Sequence, residues 1–142
     1  MINSKEQIIK YFKSGIKKSE NFKIGIEHEK FLFNNDNNKR VNYSKIKEMF
    51  EALLEFGWNP ILEKKNIIGL NKGGKNITLE PGNQIELSGD KLQNIHEACA
   101  ESQDYLFELR QVAQKLGISI VSAGFDPISK LAEIPSNPKQ RY

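Results

Sequence analysis

A single cysteine, Cys99, stands among 142 residues, which excludes an internal disulfide framework and fits a reducing compartment. Long apolar runs are missing too, since none approaches the roughly 18 residues that a membrane-spanning helix needs. Residues 1–7 show neither the apolar stretch of a secretion signal nor the arginine-rich character of a transit peptide. The expectation is a soluble protein of the cytoplasm with no membrane partner. Repeats and low-complexity tracts are also absent. Arginine is scarce beside plentiful asparagine, lysine and isoleucine, a bias of genome composition that carries no chemistry.

Charge of one sign is lacking as well. The 21 basic and 18 acidic residues leave a formal net charge of +3, and the lysines are scattered along the chain. The pairs Lys17–Lys18 and Lys64–Lys65 read as solvated surface. A nucleic-acid partner would call for a clustered basic face, so none is expected. Hydrophobic residues at 38% and charged residues at 27% describe an ordinary globular chain, near the size of one domain.

What is present is a regular alternation of elements. Ser4 followed by Gln7 forms a capping-box pattern, and Ile8, Ile9, Phe12 and Ile16 recur at helical spacing, predicting a helix over residues 5–15. Residues 22–33 read as a strand, and the asparagine-rich residues 34–38 as a turn that tolerates left-handed backbone. Ser44 is expected to cap a second helix that buries Ile46, Met49, Phe50, Leu53 and Leu54 and stops at Gly57. Short strands follow at 61–62, 67–70, 76–80 and 84–88, with Gly73 and Gly74 in a turn. Asp90 is expected to cap a long helix over residues 91–116, with Leu92, Ile95, Cys99, Leu106, Leu109, Ala113 and Leu116 as its apolar stripe and Gly117 as its end. A last strand covers 118–121. The remainder, with Pro127, Pro135 and Pro138, is irregular and lacks a capping element, which reads as a chain that continues. Hairpin-linked strands beside three helices predict an α+β domain with a mainly antiparallel sheet and flanking helices.

Two segments put acids where strands normally carry apolar side chains. In Gly25-Ile26-Glu27-His28-Glu29-Lys30-Phe31, Glu27 and Glu29 share one face, about 6.5–7 Å apart along the strand. Ile24, Ile26, His28 and Leu32 take the other. Adjacent carboxylates repel unless protonated or joined by a cation, and an oxygen-seeking divalent ion such as magnesium is the natural remedy. The second segment is Thr78-Leu79-Glu80-Pro81-Gly82-Asn83-Gln84-Ile85-Glu86-Leu87-Ser88. A two-residue loop would pair Leu79 with Gln84 and mix polar with apolar groups. A three-residue loop pairs Glu80 with Gln84, Leu79 with Ile85, Thr78 with Glu86 and Ile77 with Leu87, so that every pair matches. Meeting of this polar face with that of Glu27 and Glu29 would bring four acids together. Alternation alone also describes a solvated sheet face, although Phe31 and Phe33 beside the acids fit one poorly.

Other residues suggest less. His28 faces away from the acids and reads as a core or hydrogen-bonded histidine, and His96 as a structural residue in mid-helix. Lys72-Gly73-Gly74-Lys75 lacks the strand–loop–helix setting of a phosphate loop and reads as a hairpin turn. Cys99 on the apolar stripe reads as a small buried hydrophobe. No Ser-His-Asp or Cys-His set can be assembled.

These blocks together resemble glutamate–cysteine ligases of the plant and proteobacterial type. Ile24-Gly25-Ile26-Glu27-His28-Glu29-Lys30-Phe31 is similar to the family's opening strand, and Gly57-Trp58 with Ile67-Ile68-Gly69-Leu70 to the next stretch. Thr78-Leu79-Glu80-Pro81-Gly82 with Gln84-Ile85-Glu86-Leu87-Ser88-Gly89 resembles its most diagnostic segment. Gly124-Phe125-Asp126-Pro127 and Pro138-Lys139-Gln140-Arg141-Tyr142 follow in family order. Asn83 and Gln140 stand where the family usually or often has glycine, and Asp90 replaces a small residue.

The resemblance implies the N-terminal portion of one larger catalytic domain with a glutamine-synthetase-like carboxylate–amine ligase fold, the C-terminal two-thirds being absent. It implies ATP-dependent ligation of the glutamate γ-carboxyl to cysteine through γ-glutamyl phosphate, the first step of glutathione synthesis. Its substrates would be glutamate, cysteine and ATP, and its cofactor Mg2+. By motif position Glu27, Glu29, Glu80 and Glu86 would be the metal ligands. Gln84 is a candidate to orient a ligand or substrate, and Arg141 to hold a substrate carboxylate. Cys99 is a candidate match for a cysteine that forms a redox-sensitive disulfide in some relatives, with its partner beyond Tyr142. Two alternatives stay open: a related carboxylate–amine ligase with another amine, and a non-catalytic metal-binding or interaction module.

Overall fold

The computed structural model describes residues 2–141; Tyr142, the end of the last family-like block, lies outside them. Six strands form one sheet in the order β2-β3-β4-β5-β1-β6. They are β1 (Glu27–Asn34), β2 (Asn59–Glu63), β3 (Asn66–Lys72), β4 (Lys75–Glu80), β5 (Gln84–Ser88) and β6 (Ile118–Val121). Every neighbouring pair runs antiparallel. Three helices accompany them, α1 (Lys5–Ser14), α2 (Tyr43–Leu53) and α3 (Ile95–Leu116). The expected α+β class with a mainly antiparallel sheet therefore holds.

Alternation decides which face is covered. Leu32, Leu70, Ile77, Leu79, Ile85 and Leu87 are fully buried and pack in one cluster with Ile46, Met49, Phe50 and Leu53 of α2 and Tyr105, Leu109, Val112 and Ala113 of α3. Each such side chain stabilises the fold by roughly 1.5–3 kcal/mol relative to exposure. The neighbouring strand positions, Thr78, Glu80, Gln84, Glu86 and Ser88, remain partly open on the opposite face.

The hairpin register is the expected one: Ile77 pairs with Leu87, Thr78 with Glu86, Leu79 with Ile85 and Glu80 with Gln84. Its connection is the three-residue turn Pro81–Asn83. Gly82 and Asn83 both take left-handed backbone, at φ 64° and 56°. Gly82 is needed on a second count, because a Cβ there would stand 2.7 Å from Cγ2 of Ile134. Lys72 and Lys75 pair across the Gly73–Gly74 turn, so that segment is a hairpin as read.

Several local expectations change. Asn42, not Ser44, caps α2, its side chain accepting from the Lys45 amide at 3.1 Å. Likewise Asn94, not Asp90, caps α3, accepting from the amides of His96 and Glu97 at 3.0 and 3.1 Å. Glu97 reaches back past the cap to the Gln93 amide at 2.7 Å. The physical reason for the late start is a backbone pair between Leu92 and Ile24, 2.8 Å in both directions, which holds the preceding residues extended. The stripe on α3 then runs through Ala98, Glu101, Tyr105, Leu109, Val112 and Ala113. Cys99 is one position off it and exposed, and Ile95 is exposed too. His96 sits in the first turn rather than mid-helix.

The first strand begins at Glu27 instead of residue 22, since residues 22–26 carry only an isolated bridge from Ile24 to Leu92 and a single bond from the Gly89 amide to the Ile26 carbonyl. Helix α1 buries none of its residues. Its cap is as expected at Ser4, which accepts from the Gln7 amide, but Gln7 receives the Asn3 amide rather than that of Ser4.

Candidate functional site

The open face of the sheet is built around β5. Glu86 stands directly opposite Glu29 on β1 and opposite Thr78 on β4. Glu27 pairs with Ser88, and Glu80 with Gln84. Directly opposed side chains have Cβ atoms about 4.5–5.5 Å apart and diagonal ones about 7–8 Å, so the four carboxylates occupy one continuous patch. Glu27 and Glu29 are exposed, whereas Glu80 and Glu86 are half-buried. Although Glu29 as a residue is exposed, partial desolvation of its carboxyl between the strands, and after it the charges of Glu86, Glu80 and Glu27, push that carboxyl above its ordinary value.

Short hydroxyl donors hold two of the acids. The Ser88 hydroxyl donates to Oε1 of Glu86 at 2.9 Å, and the Thr78 hydroxyl to Oε1 of Glu80 at 2.9 Å. Both donors lie two residues from their acceptors, on the same face of the same strand.

Cations gather at Glu80. The chain returns after Pro138 so that Lys139 Nζ lies 3.4 Å from Oε1 of Glu80 and Arg141 Nη2 lies 3.3 Å from Oε2. Lys139 is buried, Arg141 largely exposed. The return is anchored by the backbone. Asn137 donates to the Glu80 carbonyl at 3.0 Å, and the Gln140 amide donates to Glu63 at 2.8 Å. Gln84 turns its amide to the Pro81 carbonyl at 3.4 Å.

Phe31 and Phe33 extend the face of Glu27 and Glu29 yet are buried, at 6% and 2% exposure. The Arg40 guanidinium covers them, 4.8 Å from one ring centre and 5.7 Å from the other. Arg40 also pairs with Asp126 at 2.7 Å and donates to the Gly82 carbonyl. On the helix side, His28 meets Ser102 of α3 at 3.1 Å, as expected for a hydrogen-bonded histidine.

The structure thus brings Glu27, Glu29, Glu80 and Glu86 to one face with Gln84, and places Arg141 at its edge. Among the described residues, no three carboxylate, histidine or cysteine side chains close on a single point. Hard carboxylate oxygens nonetheless suit magnesium, which keeps several waters and is commonly held by one or two protein carboxylates together with phosphate oxygens. The donor set fits that mode and not an all-protein cage. Two residues at the site escape a reading of the sequence. Lys139 carries no periodic signal beyond its place in the last block, and Arg40 follows an asparagine run with nothing to mark it.

A family model described as glutamate-cysteine ligase family 2 (GCS2) matches residues 23–142. The chain belongs to this family. Glutamate–cysteine ligase A, chloroplastic, of Oryza sativa subsp. japonica is 42% identical over 140 residues, covering 98% of this chain and 28% of the rice protein. The chloroplastic glutamate–cysteine ligases of Nicotiana tabacum and Arabidopsis thaliana are 41% and 39% identical over the same length. This family-2 chain therefore spans less than a third of the length of the curated relatives it matches, 28% and 27% in these cases. Their names correct the cytoplasmic expectation, for all three are called chloroplastic. A lone thiol excludes a disulfide framework but does not tell one reducing compartment from another. No helix among the described residues is long and apolar enough to cross a membrane.

Proposed function

We propose that this chain supplies the metal-binding and glutamate-binding part of an ATP-dependent glutamate–cysteine ligase, one portion of a larger catalytic domain working in a plastid. The observation that carries the reading is the patch of Glu27, Glu29, Glu86 and Glu80 across three adjacent strands, bordered by Lys139 and Arg141. Transfer of the terminal phosphoryl group of ATP to the γ-carboxylate of glutamate gives γ-glutamyl phosphate and ADP. Attack by the cysteine amine then forms the amide, releasing phosphate and a proton. The product is the first intermediate on the way to glutathione.

Such chemistry crowds anionic oxygens together, and Mg2+ held at the carboxylate face supplies the neutralising charge. Glu29 and Glu86 are the natural pair to bind it, being opposed and relieved of mutual repulsion by a cation. Glu27 and Glu80 flank them as further ligands. Arg141 presents an exposed guanidinium whose fork matches a substrate carboxylate, and Gln84 beside Glu80 orients it. Because the chain spans only 28% of the rice relative, the nucleotide site is assigned to the remainder, and the chain alone is expected to show no turnover.

Calorimetric titration with Mn2+ as a magnesium substitute tests the reading, comparing the chain with a Glu29→Gln, Glu86→Gln double variant. Binding that is lost in the variant supports a shared site on β1 and β5. Equal binding in both would rule that site out.

A further inference from the structure

Arg40 makes four contacts at once, and together they join the parts of the carboxylate face. Nη1 meets Oδ2 of Asp126 at 2.7 Å, with both side chains buried, at 2% and 10% exposure. Nη2 donates to the carbonyl of Gly82, two residues after Glu80. The guanidinium plane lies over Phe31 and Phe33, which continue the face of Glu27 and Glu29 on β1. The adjoining residue adds a fifth tie, since Asn83 donates from Nδ2 to the Val41 carbonyl at 3.1 Å.

Asp126 is fixed from its other side. Its Oδ1 accepts the amides of Ile128 and Ser129 at 2.9 and 2.8 Å. The chain then runs through Ile134, which lies against Gly82, to Asn137, Lys139 and Arg141 at Glu80. One guanidinium thus holds the β4–β5 turn against β1 with one prong and the returning segment with the other. Only a planar fork can serve both directions at once.

We propose that Arg40 is a positioning residue of the carboxylate face. Its bond to Gly82 sets the place of Glu80 and Gln84 relative to Glu27 and Glu29, and its pair with Asp126 sets the place of Lys139 and Arg141 at Glu80. The consequence for metal binding rests on the function proposed above, whereas the clamp itself does not.

Amide hydrogen exchange of the full chain tests it, with Arg40→Lys and Asp126→Asn as variants. The amide of Gln84 reports on the turn, and those of Lys139 and Gln140 report on the returning segment. Lysine keeps the charge but lacks the fork. In Arg40→Lys, exchange at all three amides should quicken about tenfold or more while α2 and α3 keep native protection. In Asp126→Asn, Lys139 and Gln140 should quicken and Gln84 should not, because the bond to Gly82 remains. Mn2+ affinity should fall about fivefold or more in Arg40→Lys.

Unchanged exchange at the three amides in Arg40→Lys overturns the proposal. So does a loss spread over α2 and α3 or outright unfolding, which would mark a general stabiliser. Equal loosening of both regions in Asp126→Asn overturns the division between the two prongs. If Arg40→Lys loosens the amides but leaves a measurable Mn2+ affinity unchanged, the link to the carboxylates fails. Absence of Mn2+ binding in the native chain sinks the metal reading instead, and the exchange pattern still decides the role of Arg40.

Discussion

Glu29 of β1 and Glu86 of β5 are direct partners in an antiparallel ladder, two like charges on one open face. Opposed acids destabilise a sheet by a few tenths to about 1 kcal/mol. Glu86→Gln should therefore raise the stability of the metal-free chain by about 0.5 kcal/mol. With Mn2+ at saturation the order should reverse, since the native pair gains binding energy that the variant lacks. Urea unfolding with and without Mn2+ reads both effects, and a variant that is less stable in both conditions would show that the pair does not repel.

Asp126 carries a pH dependence of its own. Burial works against its charge, but the amides of Ser129 and Ile128 and then the Arg40 guanidinium outweigh it and hold the carboxyl at about 2, below the ordinary 3.8. A depressed folded pKa contributes stability that is fully present above about pH 4 and disappears as the pH falls toward 2. The contribution should be about 2 kcal/mol, from roughly 1.4 kcal/mol per pKa unit. Unfolding free energies measured from pH 5 to 2 should slope less steeply in Asp126→Asn by that amount.

Asn83 combines left-handed backbone with a buried side-chain bond to the Val41 carbonyl. Glycine would keep the backbone and lose the bond, whereas alanine loses the bond and adds strain. Asn83→Gly should lower stability by about 1 kcal/mol and Asn83→Ala by about 2–3 kcal/mol. Chemical denaturation of the two variants checks the order.

Helix α1 contributes little to the cooperative unit. Ile8, Ile9, Tyr11 and Phe12 are all exposed, and isolated helices of this length are marginal in water. Its amides should exchange close to the unstructured rate. Phe12→Ser should leave the melting temperature unchanged, whereas Phe50→Ala in the core should cost about 3–5 kcal/mol. Thermal melts of the two variants separate a satellite helix from a core one.

The sequence made the hairpin legible because a shift of one residue would have exposed Ile77, Leu79, Ile85 and Leu87. Only one loop length kept them all on one face. Helix starts were less legible. Ser44 and Asn42, like Asp90 and Asn94, are all competent caps, and the choice at α3 was made by the long-range pair of Leu92 with Ile24. The phase of α3 at its first turns is hidden for a related reason. Its buried stripe includes Glu101 and Tyr105, which an apolar count passes over in favour of Ile95 and Cys99. Among the site residues, Glu27, Glu29, Glu80 and Glu86 could be placed on faces by alternation, and the sheet order brought those faces together. The approach of Lys139 and Arg141 to Glu80, and the Arg40 clamp, depend on how irregular chain returns over the sheet. No periodicity records that.

The most direct measurement is the paramagnetic broadening of assigned backbone amide signals on adding substoichiometric Mn2+ to the whole chain. The expected result is selective loss of the signals of Glu27, Glu29, Thr78, Glu80 and Glu86, which span β1, β4 and β5 on the carboxylate face. Broadening centred elsewhere, or none at these residues while others respond, would contradict a metal site built from these four acids.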